Sequence, residues 1–107
     1  MVFNTLDQVM GTFGSWNFIH ISFRHKLLTQ SLLAINDVMT TLVINPSENS
    51  VKILLFCNEL SQAIKIRFAI LENQNNYQPL ERDEALIQTI TLDLEKKYAK
   101  LKKLFVF

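Results

Sequence analysis

The side chains best suited to metal binding in this sequence are His20, His25 and Cys57. Two histidines on a helix share one metal when they are three or four residues apart, because only those spacings place both rings on one face. His20 and His25 are five residues apart, and Cys57 belongs to an apolar stripe in another part of the chain. We therefore expect neither a metal site nor a bound cofactor.

Residues that could perform catalysis form no known motif. Nucleophile elbows, phosphate-binding loops and dinucleotide fingerprints all need clustered glycines, and this chain of 107 residues has 2. Three acidic residues, Glu81, Asp83 and Glu84, could act as a carboxylate pair. Their place at the start of a predicted helix is explained by the helix macrodipole, which favours negative charge there. We expect a protein without enzymatic activity.

His25 is the one polar residue on the apolar stripe of the first long predicted helix. Two interpretations are open. The ring can lie at the edge of a bundle and hydrogen-bond to a nearby carbonyl, which is the usual arrangement of a partly buried polar group. Alternatively, it can fix the pairing of an interface or make that pairing sensitive to pH. We favour the first interpretation.

Three lysines, Lys96, Lys100 and Lys103, repeat at spacings of four and three near the end of the chain, so a helix places them on one face. Such a stripe could contact phosphates, which makes a small dimeric nucleic-acid-binding regulator our second functional hypothesis. The stripe is short, has no arginine, and lies close to Asp93 and Glu95. A solvated helix end is therefore the favoured interpretation.

The composition limits the possible surroundings and partners. Net charge is +1, from 11 basic and 10 acidic residues, so no overall field attracts nucleic acid or an anionic membrane. One cysteine permits no intramolecular disulfide, and we find neither a glycosylation sequon nor a leader sequence, so we expect a cytoplasmic location. Residues 8–23 form the longest charge-free stretch, and it falls short of the ~18 apolar residues of a membrane span.

Gly11, Gly14, Pro46 and Pro79 are the only glycines and prolines, and they leave three long uninterrupted blocks after a short N-terminal segment. Helices exclude both residue types from their interiors, whereas strand-rich folds use them at every turn. The sequence therefore predicts an all-α fold in a single domain, residues 1–107. It has three long antiparallel helices and a short N-terminal helix that runs from Asn4 to a turn at residues 11–14.

Apolar residues repeat every three or four positions in each block, as the buried face of a helix requires. The first block has Phe18, Ile21, His25, Leu28, Leu32, Ile35, Met39 and Leu42 on its stripe. The second has Ile53, Cys57, Leu60, Ile64, Phe68 and Leu71. The third has Leu80, Ile87, Ile90, Leu94, Leu101 and Leu104, with Tyr98 and Phe105 at the edge of the stripe.

An alternative fold is left open by short stretches that alternate with period two, at residues 19–23, 64–68 and 90–94. In that case the chain would be α+β, with a small hairpin in residues 41–56 around Pro46. The helical spacing continues through the same windows, so we favour the all-α fold.

The apolar fraction of 49% and the apolar rows beside each stripe exceed what a small bundle needs for its core. We therefore expect a protein–protein interaction module, such as an adaptor, chaperone, inhibitor or assembly subunit. Its partner is another protein or a second copy, and we expect a homodimer. The predicted partner-binding residues are Ile19, Phe23, Leu27, Phe56, Ile66, Ile70, Phe105 and Phe107.

Overall fold

The computed structural model describes residues 2–13, 21–46, 48–73 and 81–104. Within these ranges the chain forms four helices, α1 (Val2–Phe13), α2 (Ile21–Ile44), α3 (Ser50–Asn73) and α4 (Glu81–Lys103), and no strand. The predicted all-α bundle is confirmed. The alternative hairpin in residues 41–56 is wrong, because the start of that segment ends α2 and its last part is the first turns of α3.

Helix α1 is longer than predicted, because it begins at Val2 and continues through Gly11 to Phe13. A glycine inside a helix costs about 1 kcal/mol relative to alanine. Gly11 is exposed, and a Cβ there would meet no atom within 4 Å. Leu6 and Phe13 are fully buried on the opposite face. Packing of that face therefore outweighs the local preference of Gly11 for a turn.

Neighbouring helices run antiparallel. The ring of His25, early in α2, lies 4.9 Å from that of Phe68, late in α3. Phe3, at the start of α1, lies 6.1 Å from Tyr98, near the end of α4. The chain reverses between α2 and α3, where the amide of Asn45 donates a hydrogen bond of 2.9 Å to the carbonyl of Thr41.

The core is formed by all four helices, and α3 contributes more buried residues than any other. Helix α3 packs against both α2 and α4, so it is covered on two sides. This is the central position that its narrow polar face predicts. The buried apolar residues are Leu6, Val9, Phe13, Ile35, Val38, Leu42, Ile53, Phe56, Cys57, Leu60, Ala63, Ile64, Leu94, Tyr98 and Leu101.

Two stripe residues, Tyr98 and Leu104, are placed differently from the prediction. Tyr98, predicted at the edge, is buried, because its ring stacks on that of Phe56 at 5.2 Å. Leu104, predicted as buried, is 42% exposed, because it follows the last helical residue and lies on the α3 side of α4 rather than on the core side. His25, for which we favoured a place at the edge of the bundle, is exposed beside Phe68.

Candidate functional site

Two of the predicted partner-binding residues present apolar surface to solvent. Phe23 in α2 is 60% exposed and Ile66 in α3 is 42% exposed. Leu27 and Ile70 are half-buried, and Leu27 packs against the core. Of the remaining members of the predicted set, Phe56 is buried. Ile19, Phe105 and Phe107 lie outside the described residues.

The assignment of Phe56 to a partner-binding face is wrong. Only 4% of this residue is exposed, and its ring is nearly parallel to that of Tyr98, with an angle of 16° between the planes. The neighbouring Leu55 is 61% exposed and takes the surface position instead. The two residues are 100° apart around a helix, so one turns toward α4 and the other toward solvent.

Helices α3 and α4 enclose an outward-facing depression that we call the α3–α4 groove. It holds about 420 Å³. Its residues recur at spacings of three and four on both helices, as expected for the facing sides of an antiparallel pair. They are Lys52, Leu55, Phe56 and Glu59 from α3, and Lys97, Lys100, Leu101 and Leu104 from α4.

An ion-pair cluster lies at one end of this groove. The Lys97 ammonium is 3.0 Å from Glu59 Oε2 across the groove and 3.0 Å from Asp93 Oδ2 one turn earlier in α4. The hydrogen bonds to Glu59 and then to Asp93 raise the pKa of Lys97. All three side chains are about half exposed, so solvent screens each pair and its contribution to stability is small. The pair between Glu59 and Lys97 shows which residues of α3 and α4 face each other.

Four residues of α4 form a row along the groove side of the helix, which we call the α4 outer row: Leu86, Asp93, Lys97 and Leu104. Their spacings are seven, four and seven residues, each of which returns a helix close to the same face. Leu86 is 47% exposed and Leu104 42% exposed. The row therefore has an apolar residue at each end and two opposite charges in the middle.

Helix α3 continues the same pattern beside this row. Leu55 and Leu104 line the groove on the side away from the ion pairs, and Ile66, three turns further along α3 than Leu55, is exposed beyond the ion-pair end. Glu59 lies between Leu55 and Ile66 on α3 and pairs with Lys97, one of the two charged residues of the α4 outer row. We call the combined surface of this side of α3 and the α4 outer row the α3–α4 face.

A second polar cluster joins α1 to α4. The Tyr98 hydroxyl donates a hydrogen bond of 2.5 Å to Asp7 Oδ1, and Lys102 Nζ donates to the same oxygen at 3.2 Å. These hydrogen bonds lower the pKa of Asp7. Burial, followed by the hydrogen bond to Asp7, raises the pKa of Tyr98. At neutral pH the phenol is protonated and the carboxyl is ionised, so the cluster acts as a structural link between the two helices.

Arg67 is a buried cation that the sequence analysis did not identify. It is 3% exposed, and its Nε has no hydrogen-bond acceptor among the described residues. Its guanidinium lies 5.4 Å from the centre of the Phe13 ring, and burial lowers its pKa. The signal was present in the sequence, because Arg67 follows Leu60 and Ile64 at the spacing of the buried stripe.

The residues considered for metal binding and catalysis are not brought together in the described part of the chain. Cys57 is fully buried, and burial raises the pKa of its thiol to about 11, so it is protonated at neutral pH. Within the described ranges no three His, Cys, Asp or Glu side chains form a potential metal site. His20 lies outside these ranges, and Glu81 is the first residue of α4.

The three lysines of the predicted phosphate-binding stripe are all exposed on α4. Lys100 also lines the α3–α4 groove, whereas Lys96 and Lys103 lie further around the helix. The ion pairs that the described residues form involve Lys97 and Lys102 instead. The charges of the stripe are therefore available to an anionic partner.

One stretch of α2, His25–Ile44, is long and apolar enough to cross a membrane by length and composition alone, with a mean hydropathy of 1.5. It contains Lys26 and Asp37, and its residues Ile35 and Val38 are buried in the core of the bundle.

No protein-family model matches this chain, and no curated protein or solved structure is significantly similar to it. Its function is therefore inferred from its own geometry.

Proposed function

We propose that this chain is a non-enzymatic protein–protein interaction module that binds its partner through the α3–α4 face. The observation that supports this proposal is the exposure of four large apolar side chains on this face, two of which, Leu55 and Leu104, line the groove. Leu55 is 61% exposed, Leu86 47%, Ile66 42% and Leu104 42%. Covering apolar surface releases about 25 cal/mol per Å², so a partner that fits this face gains binding energy from it.

The position of these residues on two packed helices favours binding. Glu59 and Lys97 connect α3 to α4, and Phe56 and Leu101 are buried between the two helices, so the face is already formed in the single chain. A preformed surface loses little conformational entropy on binding. The half-exposed charges of Asp93 and Lys97 also favour one orientation of the partner, because like charges brought together in an interface are unfavourable.

Site-specific photo-crosslinking in the native cell tests this function. A photoreactive amino acid at Leu55 should give a discrete adduct, with this chain or with another protein. The matched control is Asn36, which is also exposed but lies on α2, a helix that does not form this face. We expect an adduct from Leu55 and none from Asn36. Equal yields from both positions, or no adduct from Leu55, would contradict the proposal.

A second candidate function is nucleic-acid binding by the lysine stripe. The observation that favours it is that Lys96, Lys100 and Lys103 are exposed and form no ion pair with the described residues. Fluorescence anisotropy with labelled single- and double-stranded DNA should then show binding at low salt that weakens steeply as salt rises. Substitution of all three lysines by glutamine should abolish it. An absence of binding at low salt would remove this candidate.

A further inference from the structure

We propose that the occupant of the α3–α4 face is a second copy of this chain, bound antiparallel about a two-fold axis that crosses α4 near Glu95. This inference rests on the proposed function, because it names the partner of the same face. The α4 outer row supports the inference. When two copies of the row run in opposite directions, leucines lie opposite leucines and each aspartate lies opposite a lysine.

The apolar ends of the row match in that arrangement. Its spacings of seven, four and seven residues are symmetric about the midpoint between Asp93 and Lys97. An antiparallel second copy therefore places its Leu104 opposite Leu86, and its Leu86 opposite Leu104. Both leucines are more than two-fifths exposed in the single chain. A two-fold axis repeats each contact, so both ends are covered at once.

The charges in the middle of the row select the antiparallel orientation. Asp93 lies opposite Lys97 of the second copy, and Lys97 lies opposite its Asp93. A parallel arrangement would instead bring Asp93 to Asp93 and Lys97 to Lys97. Complementary charges set the orientation of partners at an interface, as charged pairs also do in coiled coils. Within one chain Asp93 and Lys97 are already 3.0 Å apart, so the dimer joins two such pairs into a cluster of four alternating charges.

Helix α3 extends the contact on either side of this seam. Glu59 faces Lys97, and the two helices are antiparallel, so Leu55 is level with the Leu104 end of α4 and Ile66 is level with its first half. In the antiparallel arrangement, the part of α3 that contains Ile66 in the second copy lies near Leu55 of the first copy. The exposed apolar residues of α3 are thus covered by the same two-fold operation as those of α4.

The size of the face is sufficient for a reversible dimer. From Leu86 to Leu104 a helix rises about 27 Å, and two packed helices are about 20 Å wide, so two copies together cover about 1,100 Å². This area lies just above the ~1,000 Å² that a specific interface needs. The dimer should therefore dissociate on dilution.

Charge-exchange variants of Asp93 and Lys97 test the proposal, because the mass of each variant in solution shows whether it still forms a dimer. Asp93→Lys places four lysines at the centre of the dimer, and Lys97→Asp places four aspartates there. A mixture of the two variants restores both opposite-charge contacts, as does the double variant within one chain. Analytical ultracentrifugation over a dilution series measures the mass of each sample, and circular dichroism verifies that each variant is folded. Lys96→Asp is the control, because Lys96 is exposed on α4 away from the outer row.

We expect the original chain and Lys96→Asp to dimerise alike. Each single variant alone should dissociate at concentrations at least about tenfold higher, because like charges then face each other. The equimolar mixture and the double variant should recover the dimer. A monomeric original chain at all concentrations, or a dimer that both single variants leave unchanged, would overturn the proposal. The photo-crosslinking experiment distinguishes this proposal from the proposed function. A crosslink from Leu55 to a different protein would support the proposed function and would exclude a second copy as the partner.

Discussion

The hydroxyl of Tyr98 lies 2.5 Å from Oδ1 of Asp7, a residue 91 positions earlier in the chain. This hydrogen bond ties the shortest helix to the last one. Lys102 reinforces it from the next turn of α4, with its ammonium 3.2 Å from the same carboxylate oxygen. The N-terminal helix is thereby attached to the bundle by polar contacts as well as by its buried apolar face.

The first prediction concerns the pH dependence of this link. The pKa of Asp7 in the folded chain is below its ordinary value of 3.8, so the ionised carboxylate stabilises the fold above that pH. The contribution is lost as the pH falls below 3.8 and the folded-state carboxylate is protonated. Asp7→Asn should therefore lower the melting temperature at neutral pH, and the difference from the original chain should disappear in acid. Melting curves by circular dichroism across this range measure it.

Asp37→Asn is the control for this experiment, because Asp37 is exposed and forms no ion pair with the described residues. It should leave the melting temperature nearly unchanged at neutral pH. If Asp7→Asn lowers the melting temperature equally at every pH, the link does not depend on the charge of Asp7.

A second prediction separates two adjacent residues of α3. Phe56→Ala removes a ring that is buried against Tyr98, so it should reduce the free energy of unfolding by about 3–5 kcal/mol. Leu55→Ala removes an exposed side chain and should change it by less than about 0.5 kcal/mol in dilute protein. Urea denaturation measures both. Similar losses from the two variants would mean that α3 is rotated from the orientation described.

Arg67 leads to a third prediction. A buried guanidinium whose Nε lacks an acceptor among the described residues has lost hydration without full compensation. Its contact with the Phe13 ring recovers part of that loss. Replacement of such a charge by an apolar residue of similar size is neutral or stabilising, so Arg67→Met should raise the free energy of unfolding by up to about 4 kcal/mol.

Lys65→Met serves as the comparison for Arg67→Met, because it removes a cation from an exposed position two residues away on α3. It should change the free energy of unfolding by less than about 0.5 kcal/mol. A large destabilisation by Arg67→Met alone would show that the guanidinium makes an interaction that stabilises the fold.

The helix boundaries near the prolines could be predicted from the sequence. Pro46 follows the end of α2 by two residues, and α4 begins two residues after Pro79, because proline is excluded from helix interiors. Gly11 misled the prediction, since glycine only weakens a helix and the buried stripe of α1 compensates for it. The ends of α1 depend on packing with residues far away in the chain.

The candidate site could be predicted only in part. Ile66 was identified, but Leu55 was passed over for Phe56, because α3 is apolar around most of its circumference and periodicity alone does not show which row faces α4. Leu104 was predicted as buried because it continues the spacing of the α4 stripe, but it lies just past the last helical residue. The pairing of Glu59 with Lys97, 38 residues apart, requires the register between two helices, which no local pattern in the sequence specifies.

Disulfide trapping between positions 86 and 104 tests the antiparallel dimer most directly. These positions are about 27 Å apart on one helix, so a disulfide between them can form only between two copies. Cys57 is buried and protonated, so it can remain in place. Under mild oxidation, Leu86→Cys and Leu104→Cys should each stay uncrosslinked when alone and form a covalent dimer when mixed. Crosslinking of either variant with itself, or none in the mixture, would contradict the account.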